Sequence, residues 1–372
     1  MTPVPLRIGI DARAVVEERG GRGTMVRELL LALDRADTPH RFELFARTPW
    51  DVPLAPERFS WRLIDAPDPR WNVVAGTTAH RACDVYVSTN SYLTVWFTRV
   101  PSVMVVCDLV AYHDEYRPQR RAKVIEKATL PLAVRRATAI TAISRATADD
   151  LGGRFAAARP KTTVTLLAAD ERFARDDGPP VDDVLARHGL TKPYVLAVGT
   201  LEPRKNLPAL IAAFAALPPA VRDAHELVLV GAIGWDTDET LTAVAQHRGL
   251  VRQLGHVADE DLAALYRGAA LFAYPSLYEG FGLPVLEAMA AGAPVLTSNV
   301  SSLPEVAGDA AVYVDPRDIT SIAGGLERGL TDRTAAAALA ARGRERAAAF
   351  SWDRHAREML DVIERAAAAR RP

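Results

Sequence analysis

Two glutamates, Glu279 and Glu287, stand eight positions apart around the run Gly280-Phe281-Gly282-Leu283-Pro284. A carboxylate has four lone-pair directions, so each can accept both hydrogens of a vicinal diol without a metal. Between them, Gly280 and Gly282 open a turn in which a ligand can approach the backbone closely. Pro284 suits the first position of a helix, since its missing N–H would be unpaired there anyway. The N–H groups of Phe281, Gly282 and Leu283 then sit at the positive end of a helix dipole, a seat for an anion or a hydroxyl-rich ligand. A plainer account has Glu287 answering the helix dipole and Glu279 lying in solvent. The glycines between them and the motifs upstream weigh against it.

A second group lies upstream. Tyr194 to Val198 reads as an apolar strand leading to Gly199 and Thr200, followed by Leu201-Glu202-Pro203-Arg204-Lys205-Asn206-Leu207 and a helix carrying Leu210, Ile211 and Phe214. Arg204 as a planar fork and Lys205 as a point charge, adjacent at a helix start, can hold a diphosphate. Taken alone, such a pair is more often a surface feature. Near the amino end, Gly20-Gly21-Arg22-Gly23-Thr24 reads as a glycine loop between a strand, Leu6 to Asp11, and a helix expected from about Met25. The spacing is neither G-x-G-x-x-G nor GxxxxGK, which argues against dinucleotide and P-loop sites. The strand Pro101 to Val106 delivers Cys107 and Asp108 to its carboxyl end, with His113 nearby, and Asn90 and Ser91 follow another strand. Ligands bind at such ends in open α/β sheets, although Asn90 and Ser91 also suit an ordinary turn.

These residues need strands and helices in alternation. Strand patterns recur at 42–47, 61–64, 84–88, 139–144 and 164–167, and again at 227–231, 251–257, 271–274, 294–297 and 311–314. The charged, Gly- and Pro-containing stretch from Asp170 to Pro180 marks a connection between two α/β halves. The expected division is 1–168, a linker at 169–192, a second domain at 193–350, and a final helix from Ser351 that crosses back to the first domain.

The run Glu279-Gly280-Phe281-Gly282-Leu283-Pro284-Val285-Leu286-Glu287-Ala288 resembles the Glu-x7-Glu signature of glycosyltransferase family 4. Ile10-Asp11-Ala12-Arg13 is similar to the start of its bacterial mannosyltransferase-like branch. The resemblance is strong from about residue 193 to 354 and loose before that. It implies the GT-B fold, two Rossmann-like domains facing a central cleft, and a retaining, metal-independent transfer of a hexose-type sugar. The sugar would leave a nucleotide diphosphate donor for a hydroxyl of a polysaccharide, lipid-linked or natural-product acceptor. It places Arg204 and Lys205 on the diphosphate, Gly199 and Gly21 beside the donor, and Glu287 on the ribose. Glu279 with the N–H groups of Phe281, Gly282 and Leu283 would hold sugar hydroxyls, and the backbone around His256 and Val257 would lie against the nucleobase. Asp108 would orient the acceptor. Relatives often carry His where this chain has Cys107, and a neutral thiol cannot act as an imidazole base.

The 372 residues are 49% hydrophobic and 24% charged with a net charge of -1, which suits a globular protein and gives no strong field for nucleic acid. The two cysteines form neither a disulfide framework nor a zinc spacing. No leader is recognised and no run reaches the roughly 18 apolar residues of a membrane span, so a cytoplasmic location is expected. No cofactor is expected beyond the nucleotide sugar. Basic residues from Arg117 to Arg136 surround an apolar face that could rest on an anionic membrane, but Glu126 and Pro131 favour a solvated helix. Two other functions share the fold: a sugar-nucleotide epimerase, which needs no acceptor, and a nucleotide-sugar binder that does not turn over.

Overall fold

Parallel strands covered on both faces carry unbroken apolar runs, and this chain is built from them. The computed structural model describes residues 4–18 and 20–369. The chain divides into two compact units. One comprises residues through Tyr112, Arg120–Leu167 and the segment from Ser351; the other comprises His113–Gln119 and Ala168–Phe350.

The first unit holds β1 (Arg7–Asp11), β2 (Arg41–Ala46), β3 (Phe59–Leu63), β4 (Val85–Ser88), β5 (Ser102–Val106), β6 (Ala139–Ala142) and β7 (Thr162–Val164). They form one seven-stranded sheet in the order β3-β2-β1-β4-β5-β6-β7, with every pairing parallel. The helix Trp352–Ala368 belongs to this unit and packs on the helix Gly21–Arg35 and on β5 and β6. Its apolar stripe of Trp352, Met359 and Ile363 is buried.

The second unit holds β8 (Tyr194–Val198), β9 (Glu226–Val230), β10 (Val251–Gly255), β11 (Leu271–Tyr274), β12 (Val295–Ser298) and β13 (Ala311–Val314). Their order is β10-β9-β8-β11-β12-β13, again all parallel. Val195, Leu210, Phe214, Leu229 and Leu296 belong to its buried core. In both sheets the strand order reverses once, between β1 and β4 and between β8 and β11. At such switch points the loops diverge and leave a crevice beyond the carboxyl ends.

Two expectations are corrected. The glycine stretch is no loop before a helix at Met25, because the helix begins at Gly21 and includes Gly23. A Cβ on Gly23 would lie 1.9 Å from the Glu18 carbonyl oxygen, so this glycine serves close packing on the preceding turn. Nor is 169–192 a bare linker. Phe173 is buried with its ring edge on Tyr266 (5.5 Å), and the helix Val181–Arg187 buries Val184. Arg187 and His188 bond Asp261 at 2.5 and 2.9 Å. Charge and proline in the sequence masked those anchors.

Candidate functional site

At the β8/β11 switch point the chain leaves β8 through Gly199 and turns sharply in a 3-10 turn, Pro203–Lys205, before the helix Leu207–Ala215. The turn ends at Asn206, whose φ of +58° is left-handed. The Asn206 side-chain amide donates to the carbonyls of Pro275 (3.1 Å) and Pro316 (2.7 Å). Arg204 and Lys205 therefore stand in a braced turn, not in the helix itself. Gly199 has φ +146°, a conformation that a side chain would strain, and it lies against the lysine stem.

On the other side, β11 runs into Pro275 and the loop that carries Glu279. The Leu277 N–H donates to the Arg204 carbonyl at 2.8 Å, tying loop to turn. Ser301 Oγ accepts from the Glu279 N–H (3.0 Å), and the buried Ser302 hydroxyl lies 2.9 Å from the Glu279 carbonyl and 2.8 Å from that of Phe281. Gly282 enters the helix Leu283–Ala291 at φ +107°, a conformation that a side chain would strain. Phe281 points its side chain into the core against Phe350, so only its backbone faces the turn.

The result is a compact ionic cluster. Glu279, 6% exposed, pairs with Arg204 and with Lys205, the latter at 2.7 Å. Arg204 also pairs with the buried Glu202 at 2.6 Å and donates to the Tyr278 carbonyl at 3.2 Å. Two cations and two carboxylates leave the cluster neutral, which is what permits its burial. Burial alone would raise the Glu279 pKa, but Arg204 and Lys205 outweigh it and hold the carboxyl down at about 2. Burial and the neighbouring Arg204 push Lys205 below the ordinary lysine range, against the pull of Glu279 and Glu202.

Glu287 has a different setting. It lies on the helix Leu283–Ala291, and its Oε2 accepts from the Tyr266 hydroxyl at 3.0 Å. Burial lifts it to about 7, Tyr266 pulls it down, and Asp170 adds to the rise. His256 is exposed at the end of β10, just past Gly255 at φ +71°, and Val257 is buried. The Gly231 N–H donates to the Gly255 carbonyl at 2.8 Å, so the ends of β9 and β10 are joined below this edge. A ring stack flanks Glu279: His113 and Tyr116 lie on Tyr278 with centroids 4.8 and 5.4 Å apart. His113 is thus grouped with the second unit, whereas Asp108 belongs to the first.

In the first unit, Gly21 is exposed in the opening turn of its helix. Asp108 Oδ1 accepts from the Val110 N–H at 3.0 Å and so caps a turn. Arg22 donates to Asn90 Oδ1 at 3.2 Å and to Glu18 at 3.4 Å, and it hydrogen-bonds Cys107. Burial nevertheless raises the Cys107 thiol, so it stays neutral. Ser91 is a turn residue, its carbonyl accepting from Ser88 Oγ at 2.6 Å. Glu126, on the helix Arg120–Arg136, is raised to about 8 by burial and by Asp108, against the pull of Arg22. Val124 and Ile125 on the same helix are exposed.

Comparison with known proteins gives the family and the fold. The family described as glycosyl transferases group 1 matches residues 185–346. The O-antigen chain mannosyltransferase B of Escherichia coli is 34% identical over 310 residues, covering 81% of this chain and 75% of that protein. This chain belongs to the group 1 glycosyl transferases. A second relative, the serotype-specific mannosyltransferase WbdA of Escherichia coli, is 36% identical over 223 residues. That match takes in 58% of this glycosyl transferase and only 27% of the relative's length. Among solved structures, Anabaena Alr3699/HepE in complex with UDP and glucose aligns at a TM-score of 0.78 and 17% identity, covering 97% of this chain and 100% of that one. The fold of this glycosyl transferase is GT-B, each unit a doubly wound parallel sheet.

Sequence reasoning placed Gly199, Arg204, Lys205 and Glu279 together, and they are together. It missed Glu202, Asn206, Tyr266, Tyr274, Ser301 and Ser302. A tyrosine ending an otherwise apolar strand was the one available signal for Tyr274.

Proposed function

We propose that this glycosyl transferase moves a hexose from a nucleoside diphosphate sugar to an acceptor hydroxyl with retention of configuration and without a metal. The observation that carries the reading is the convergence of Arg204, Lys205 and Glu279 at the carboxyl ends of β8 and β11. Arg204 and Lys205 take the diphosphate and supply the charge compensation a metal would otherwise provide. Glu287 takes the ribose diol, and Glu279 with the backbone of Phe281, Gly282 and Leu283 takes sugar hydroxyls. Glu279 is a poor nucleophile because its charge is engaged by two cations. Same-face attack follows: the anomeric carbon–phosphate oxygen bond breaks, the bond to the acceptor oxygen forms, and the acceptor proton passes to the leaving phosphate. Asp108 and Gly21 belong to the acceptor and donor edges of the first unit. The relatives named as mannosyltransferases make mannose the first sugar to try.

The test is a thermal shift with UDP, GDP and their sugars in EDTA, followed by the anomeric configuration of any product. A ligand at about 100 times its dissociation constant stabilises by about 2.7 kcal/mol. A retained anomer with an added acceptor supports the proposal. Donor converted without acceptor identifies an epimerase, binding without turnover a binder, and no response to any nucleotide removes all three readings.

A further inference from the structure

Lys205 has three N–H donors and no acceptor. One goes to Glu279 Oε1 at 2.7 Å, and a second goes to the hydroxyl of Tyr274, the last residue of β11. Among the described residues this leaves a single N–H for a ligand. Lys205 Nζ thus joins the Tyr274 phenol to the Glu279 carboxylate, and the phenol in turn helps to hold the Glu279 pKa down. The phenol is 3% exposed, its ring stacks on Phe272 at 5.8 Å, and its backbone carbonyl accepts from Thr297 Oγ1 at 3.0 Å. A buried hydroxyl that only filled space would cost free energy without these partners. The ring alone would satisfy the packing.

We infer that Tyr274 is a positioning residue which, through its hydroxyl, aims the one remaining N–H of Lys205 at the diphosphate and fixes Glu279 beside it. This rests on the donor-site reading above. Without the phenol the ammonium can rotate about its stem, and a point charge so released loses the geometry that made it effective. The oxygen also accepts from the charged lysine and therefore favours the charged form. The charged and titratable groups facing Lys205 are Glu202 and Arg204 from its own turn, Glu279 from the loop and Tyr274 from β11, with Tyr266 from the helix Asp259–Gly268 behind Tyr274.

Tyr274→Phe keeps the ring and the stack. The binding of UDP and GDP is to be measured by calorimetry from pH 7 to 10 in wild type and variant, alongside kcat. The expected result is an alkaline limb of binding displaced to lower pH and a roughly tenfold lower kcat, with acceptor KM unchanged. A folded Tyr274→Phe with the wild-type limb and kcat overturns the inference. If the variant does not fold, 3-fluorotyrosine placed at 274 makes a weaker acceptor and should move the limb the same way by less; an unmoved limb again overturns it. A wild type that binds without transferring sugar defeats the catalytic reading and still lets the limb decide on Tyr274. A wild type that binds neither nucleotide defeats both.

Discussion

Arg13 and Lys205 stand near the switch points of the two sheets, each among carboxylates, and they differ in what remains open. Arg13 is 2% exposed, its Nε and Nη2 bonding both oxygens of Asp11 at 3.0 and 2.7 Å and its Nη1 reaching Asp68 at 3.0 Å. The face of its guanidinium is closed by Trp71, 3.5 Å from the ring centroid. Asn72, itself held by Thr94 and Asp68, completes the enclosure. Lys205 keeps a donor in reserve, and its neighbour Arg204 retains 18% side-chain exposure. Similar residue types therefore make a brace in one unit and the proposed donor site in the other. What separates them is enclosure: Trp71 and Asn72 close Arg13 off, whereas Lys205 lies beside the partly exposed Arg204.

The sharpest way to break that contrast is to remove one cation from each unit. Lys205→Ala should lower kcat by about 10²–10³-fold in a protein that still folds. Arg13→Ala should instead cost about 3–5 kcal/mol of stability, because it strands the buried Asp11, while the folded fraction keeps its turnover. Chemical denaturation beside steady-state kinetics reads both. A folded, fully active Lys205→Ala, or a stable but inactive Arg13→Ala, would invert the assignment.

A smaller effect separates the two glutamates of the signature. Glu279 is ionised throughout the working range, whereas Glu287 titrates near 7. Only the carboxylate accepts both hydrogens of a diol, so nucleoside diphosphate affinity should rise several-fold between pH 6 and 8. The slope should vanish in Glu287→Gln. In the free protein the sign is opposite. A carboxyl raised in the fold contributes stability that is complete below its unfolded value and is lost as pH climbs through 7. Calorimetric titration with a ribonucleoside diphosphate distinguishes the two, and a flat wild-type profile would exclude Glu287 from the ribose.

The smallest effect lies in the first unit. Glu126, lifted to about 8, keeps its proton in the fold while an unfolded carboxyl ionises near 4.5, so Glu126→Gln should match wild type only near pH 4. Wild-type stability then falls as pH rises from about 4.5 and levels off past 8, so the glutamine variant should melt several degrees higher at pH 9. An equal melting temperature at that pH would show that Glu126 ionises freely.

How much of this was legible in the sequence follows from locality. Arg204, Lys205, Glu279 and the Gly282 helix start sit in short contiguous runs where type and neighbours suffice. The alternation of apolar strands and helices revealed both sheets, because parallel strands buried on two faces have little freedom in composition. Tyr274 and Tyr266 stayed hidden because a tyrosine in a strand or helix reads as core, and its hydroxyl partner lies on another element. Gly23 misled because a glycine needed for close packing looks like one needed for a loop. Ile10-Asp11-Ala12-Arg13 marks kinship in the sequence, but that Asp11 and Arg13 also form a brace stays hidden there, since Asp68 and Trp71 lie far along the chain.

The segment His113–Gln119 has a consequence for how such a protein can be recombined. Residues on both sides of it belong to the first unit, while Arg117 pairs with Asp236 and Glu239 at 3.3 and 2.9 Å and the Trp235 indole donates to its carbonyl at 3.0 Å. With Ser351 onward returning as well, the backbone passes from one unit to the other four times. A crossover between homologous genes at residue 168 would therefore transplant Tyr278 without the two rings that lie on it. The inherited block that keeps the donor half whole is discontinuous, seven residues from one place and the long run from Ala168 to Phe350 from another.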